Sequence, residues 1–202
     1  MHCLILLPIF FYTIIHVGQY PDILKLACIT AVFNGGDKTN PNNHRPISTL
    51  PILNKIFEKL LYMRLNSYFE KCNIFCKEQY GFRKKKSTGD AVNELLNNIY
   101  NATNRKEHFG AIFLDLSKAF DTVPHNVLLL KLEHYGIRGT PLKLLKSYLS
   151  NRHQFVTVSG HKSQTKEVSI GVPQGSVLGP LLFLIYINDL PQSTKKHEIY
   201  PF

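Results

Sequence analysis

Ala111-Ile112-Phe113-Leu114-Asp115-Leu116-Ser117-Lys118-Ala119-Phe120-Asp121 is the stretch on which the reading of this chain turns. A short apolar run ends abruptly at a carboxylate. That pattern predicts a buried strand with Asp115 at its tip. Downstream, a helix is predicted from about His125 to Tyr135, stopping at Gly136. Thr140-Pro141 predicts the start of another, with Thr as cap, Pro at the first helical position, and Leu142, Leu145 and Leu149 as its apolar residues. Residues 154–158 and 167–170 are strand-like and flank a polar turn around Gly160, which predicts a hairpin. Gly171-Val172-Pro173-Gln174-Gly175 is a Gly/Pro loop. It opens a helix that is apolar on every face from Val177 to Ile187, as a core helix must be.

Upstream, residues 4–15 form a nearly unbroken apolar run. No Lys or Arg precedes it and no small-x-small site follows, unlike a signal peptide. It is short of the ~20 residues of a membrane span. A buried helix is expected, and no stable membrane partner. Residues 24–33 are apolar with Lys25 interposed, readable as a short helix or a strand, and Asn34-Gly35-Gly36-Asp37 breaks them off. Ile56, Leu60, Leu61 and Leu65 lie at helical spacing from about Leu53 on, with Lys55, Glu58, Lys59 and Arg64 interposed. A further helix from about Asp90 would bury Ala91, Leu95 and Ile99, and residues 101–108 are polar and loop-like. Helices mixed with short strands, without strict alternation, give an α+β class.

The 202 residues fit roughly one large domain or two small ones. Apolar residues at 44% exclude a disordered chain, and 12 Gly with 11 Pro exclude a collagen-like one. Lys plus Arg number 24 against 14 Asp plus Glu, a net charge of +10. That balance favours a polyanionic partner, nucleic acid before an anionic membrane. Cys3, Cys28, Cys72 and Cys76 form neither a zinc quartet nor a disulfide scaffold. Reduced thiols in an intracellular protein, nuclear or cytoplasmic, are expected.

Three segments in order, Gln79-Tyr80-Gly81-Phe82-Arg83, then residues 113–121, then Gly171 to Pro180, carry a family resemblance. Asn43-His44-Arg45-Pro46-Ile47-Ser48, Ala119-Phe120-Asp121-Thr122-Val123-Pro124-His125 and residues 182–190 agree with it. From about Gly18 onward the chain resembles the reverse transcriptase domain of non-LTR (LINE-like, jockey-like) retrotransposons. The resemblance implies a right-hand polymerase fold, with fingers over residues 1–105 and a partial palm over 106–202. It implies RNA-directed DNA polymerisation on an RNA template and DNA primer with dNTP. Two Mg²⁺ ions about 4 Å apart serve such a reaction. Asp115, with the carbonyl of Leu116, matches the family's metal ligands, and a plain helix cap is the other reading of Asp115. Phe120 matches the steric-gate position, with core packing as its alternative, and Asp121 is a cap or turn residue rather than a ligand. Gln174 and Gly175 match the nucleotide-contacting loop, although Gln174 could serve only to pin that loop. Arg83 would suit the triphosphate, since its fork matches phosphate oxygens. Lys84, Lys85 and Lys86 would track the template backbone, or form a solvated charge run.

There are departures. Asn34 stands where the family usually has Lys. Phe202 falls at the first residue of the family's second catalytic motif, an aromatic residue followed by Ala-Asp-Asp. The resemblance then implies that the Asp pair and the thumb are missing, so that Mg²⁺ binding is weak or absent and the chain as written does not polymerise. The strand of Asp115 is expected to have an unpaired edge, and the helix of residues 177–187 a partly uncovered face. The alternative function is a non-enzymatic, basic nucleic-acid-binding remnant. No feature of the sequence sets an oligomeric state.

Overall fold

Leu178, Leu181, Leu182 and Ile185 are fully buried, in the larger of two apolar cores. They belong to the apolar segment whose helix runs over Gly179–Ile187. The structure, a computed structural model, describes residues 2–158 and 160–193. Six helices are described: α1 (His2–Val17), α2 (Ile52–Lys71), α3 (Thr88–Asn104), α4 (His125–His134), α5 (Thr140–Leu149) and α6 (Gly179–Ile187). The strands are β1 (Leu26–Phe33), β2 (His44–Thr49), β3 (Arg152–Val158), β4 (His161–Lys162) and β5 (Lys166–Val168). This is the α+β class expected.

One apolar core joins α1, α2, α4, α5 and α6. Phe57, Leu61, Leu65 and Phe69 from α2 meet Leu128 and Leu132 from α4, and Leu145, Tyr148 and Leu149 from α5, around α6. The expectation of an uncovered face on α6 is overturned: within the helix every residue but Pro180 and Tyr186 is buried. The helix begins at Gly179 rather than Val177, because the Ser176 hydroxyl accepts the Gly179 N–H at 2.9 Å and so satisfies its first turn.

The sheet runs β2-β1-β3-β4, with β5 also on β3. Residues 24–33 thus resolve into strand β1, preceded by a single helical turn at Asp22–Leu24. β1 is antiparallel to β2, with Cys28 opposite Thr49, and parallel to β3, with Cys28 opposite Phe155. The parallel pair requires a long crossover, which α2 through α5 supply. Pro46, which cannot donate to a ladder, lies on β2 at the sheet's end. The expected hairpin is present as β3 with β4 and β5. Ala27, Ile29 and Leu50 form a second small core beneath the sheet.

Four further expectations are corrected. The largest concerns residues 111–114, which are not a buried strand. Ile112, Phe113 and Leu114 are 87%, 74% and 86% exposed, and the segment has no regular structure. A strand needs a ladder partner, and among the described residues no strand lies beside this one. Second, α1 docks by one face: Phe11 and Ile14 are buried, while Leu6, Ile9, Tyr12 and Ile15 face outward. Among the described residues, no helix is long and apolar enough to cross a membrane. Third, α3 continues to Asn104 and buries Ala102, so residues 101–104 are helical; Leu95 and Ile99 are only half-buried. It is started by a reciprocal cap between Ser87 and Asp90. Fourth, Gly139, not Thr140, is the N-cap of α5. Its φ of +61° places it in the left-handed region, and the Thr140 methyl would sit 3.0 Å from a Cβ at Gly18. Residues 198–202, which carry the reading of Phe202, lie outside the described residues.

Candidate functional site

The loop Gly171-Val172-Pro173-Gln174-Gly175 is bolted down at both ends and in the middle. At its start, the Gly171 N–H donates to the Val123 carbonyl at 2.8 Å and the Val172 N–H to the Phe120 carbonyl at 2.7 Å. The His125 Nε2 lies 2.6 Å from the Gly171 carbonyl. In the middle, the Gln174 carbonyl accepts the Ser48 N–H at 2.7 Å, which ties the loop to β2. The Gln174 Nε2 donates to Asp121 Oδ1 at 3.0 Å. At its end, the Val177 N–H donates to Glu58 Oε2 at 2.7 Å.

Two of its glycines are required by shape as well as by φ. At Gly171 (φ +87°) a Cβ would lie 2.8 Å from the Asp121 Cα, and at Gly175 (φ +96°) 2.9 Å from the Ser48 carbonyl oxygen. Only a residue without Cβ lets the backbones approach this closely. Beside the loop is a cavity of about 400 Å³, lined among others by Ser48, Lys118, Asp121, Arg152 and Gln174. Phe120 is half-buried, its ring 5.0 Å from Phe183 and 6.2 Å from Phe82. The structure therefore brings Phe120, Gln174 and Gly175 together, and Phe82 joins the Arg83 segment to them. Asp121 donates its N–H to the Lys118 carbonyl at 2.8 Å, as a turn residue does.

Arg83 is already engaged. Its Nη2 and Nε reach the two Glu70 carboxylate oxygens at 3.0 and 3.4 Å, its Nη1 donates to the Cys76 carbonyl at 2.9 Å, and it lies over the Phe75 ring. Lys84 and Lys85 are exposed. Lys86 donates to the Lys77 carbonyl and sits 4.5 Å from the Tyr80 ring centre. Burial, then the nearby Arg83, lower its pKa. Asp115 and Leu116 stand apart, both exposed on the irregular segment. Among the described residues, no group of three or more His, Cys, Asp and Glu side chains could hold a metal ion.

Glu58 is the residue that sequence reasoning passed over as one polar position on α2. It is wholly buried. Its Oε1 accepts from Asn54 Nδ2 at 2.9 Å and from the Tyr148 hydroxyl at 2.8 Å. Asn54 in turn accepts from the Tyr20 hydroxyl. Burial first, then the Glu58 charge, raise the pKa of both tyrosines well above the ordinary range, so both remain donors. Arg152, stacked 4.8 Å from the Tyr148 ring centre, supplies a compensating positive charge.

By fold and composition the chain is a basic α+β domain built around a glycine-bracketed loop. Comparison with known proteins specifies it further. Residues 36–201 match the family described as reverse transcriptase (RNA-dependent DNA polymerase). The chain belongs to that family. It is 37% identical over 183 residues to the probable RNA-directed DNA polymerase from transposon X-element of Drosophila melanogaster, covering 90% of this chain and 20% of that protein. It is 35% identical over 208 residues to the probable RNA-directed DNA polymerase from transposon BS of the same species, covering 100% of this chain and 22% of that one. To the RNA-directed DNA polymerase from mobile element jockey it is 36% identical over 197 residues, 96% of this chain and 21% of that one. The chain thus spans about a fifth of the length of these relatives. The family identified from the motifs is the family found.

Proposed function

We propose that this chain is the template- and nucleotide-holding part of a retrotransposon RNA-directed DNA polymerase, and that on its own it binds nucleic acid without extending a primer. Residues 1–105 would serve as fingers and 106–202 as part of the palm of a right-hand fold. RNA template, DNA primer and dNTP are the partners. In this reading Gln174 and Gly175 meet the nucleotide, and the Phe120 ring limits the sugar. Lys84 and Lys85, free at the surface, meet backbone phosphates. The Arg83 fork would take triphosphate only by exchanging it for Glu70.

The observation that carries the second half of the proposal is the state of Asp115. Two Mg²⁺ ions need several hard oxygen ligands held together. Among the described residues, Asp115 is a single, exposed carboxylate on a segment without a strand partner. The described donors do not fit a two-ion site. Cys28, Cys72 and Cys76 are free thiols, which supports an intracellular setting.

A primer-extension assay with the purified chain, Mg²⁺, dNTPs and an RNA–DNA template–primer tests this reading. No extension is expected. Extension that disappears in Asp115→Ala overturns it. Filter binding of the same hybrid should weaken steeply with salt and be unaffected by Asp115→Ala.

A further inference from the structure

We infer that Glu58 is a positioning residue for the nucleotide loop, acting through the Val177 amide. The inference rests on the proposed role of Gln174, three residues before Val177, and deepens it.

A wholly buried carboxylate is costly unless donors surround it. Here three converge on it: the Asn54 amide and Tyr148 hydroxyl on Oε1, and the Val177 N–H on Oε2. The first two come from α2 itself and from α5, and they fix the carboxylate in direction. The third is the backbone of the loop. Val177 lies two residues past Gly175 and two before Gly179, where α6 begins. The Glu58 bond therefore sets where the glycine loop hands over to the core helix. Gln174 has the opposite anchors, Ser48 and Asp121, on the sheet side. With both sides held, the Gln174 side chain has one place to be. Displacing a binding group by even about 1 Å can cost large factors in a site of this kind.

The Glu58→Gln substitution separates positioning from packing. It keeps the volume of Glu58 but offers one oxygen to three donors. If that oxygen serves Asn54 and Tyr148, an NH₂ group faces the Val177 N–H, donor against donor. Amide hydrogen exchange of Glu58→Gln, followed by mass spectrometry, should show residues 174–178 exchanging about tenfold faster, because the Val177 amide has lost its acceptor. Peptides from α4 and from residues 181–187 should exchange as before. Binding of a fluorescent 2′-deoxynucleoside triphosphate in the presence of template–primer should weaken about tenfold, with hybrid affinity unchanged. Glu58→Asp, which keeps both oxygens, should recover part of the loss. Unchanged exchange at residues 174–178 in Glu58→Gln overturns the inference. So does equal loss of nucleotide and hybrid binding, which is the mark of general unfolding. If the unaltered chain binds hybrid but no triphosphate, the role given to Gln174 fails, and the exchange measurement still decides whether Glu58 holds the loop.

Discussion

The Gln174 amide donates to the Asp121 carboxylate at 3.0 Å, across 53 residues of chain. This bond joins the turn after the Asp115 segment to the middle of the glycine loop. Asp121 is therefore a turn residue that also orients the amide expected to meet the nucleotide. The same turn presses on the loop from below: the Gly171 α-carbon passes so close to Asp121 that no side chain fits.

That close approach makes Gly171→Ala the most destructive single change in the loop. The new Cβ would meet Asp121 backbone atoms at 2.8 Å, and φ at +87° adds strain. Backbone cannot move aside as a flexible side chain can. A loss on the order of 2–4 kcal/mol is expected in urea unfolding. Gly35→Ala is the control. Its φ is +114°, but nothing lies within 4 Å of the new Cβ, so only the strain remains, at about 1 kcal/mol.

The buried tyrosines set the alkaline limit of stability. In the folded chain the pKa values of Tyr20 and Tyr148 are raised by burial and by Glu58, whereas in the unfolded chain they return to about 10. Above about pH 10 the unfolded state therefore releases protons that the folded state keeps, and stability falls as pH rises. Below that value neither tyrosine contributes a slope. Urea unfolding followed from pH 9 upward should lose up to about 1.4 kcal/mol per pH unit for each tyrosine. Tyr20→Phe, which keeps the ring against Phe57 and Tyr148, should lower the slope by one proton. An unchanged slope would show that Tyr20 ionises freely in the folded state.

The residues that sequence reasoning placed correctly are those whose environment is encoded nearby. Residues 179–187 are apolar at every position, so only the middle of a core could receive them. Gly171 and Gly175 flag a tight loop by type alone. Residues 111–114 show the opposite case. An apolar run encodes a demand for cover, not the strand that meets it, and here no described strand does. Glu58 was illegible for a different reason. A carboxylate among apolar residues on a helix looks like a solvated position. What buries it are Tyr148, 90 residues on, and Val177, 119 residues on.

Glu70 and Arg83 offer a direct test of the phosphate reading. The pair is bidentate and partly shielded, with Arg83 15% and Glu70 35% exposed. Glu70→Gln leaves a single neutral acceptor. A loss of about 1 kcal/mol in urea unfolding is expected, since solvent screens much of the attraction. At the same time the guanidinium loses its resident anion. Calorimetric titration with tripolyphosphate should then show binding several-fold tighter than in the unaltered chain. Unchanged affinity would remove Arg83 from the proposed triphosphate site and leave it as a brace for the Phe82 segment.

The last test separates the three lysines that the sequence presents as one run. Lys84 and Lys85 are exposed, whereas Lys86 is held on the Lys77 carbonyl and over Tyr80. A cation with a structural partner releases few counterions on binding. Each phosphate neutralised contributes about 0.9 to the slope of log affinity against log salt for a duplex. Lys84→Gln and Lys85→Gln should each reduce the slope for an RNA–DNA hybrid by about 1, measured by filter binding between 50 and 200 mM salt. Their melting temperatures should not change. Lys86→Gln should do the reverse, leaving the slope and lowering the melting temperature through its lost contacts at residues 77–80. Equal slopes for all three variants would mean that the run acts as one solvated patch, and that its distinct positions have no bearing on hybrid binding.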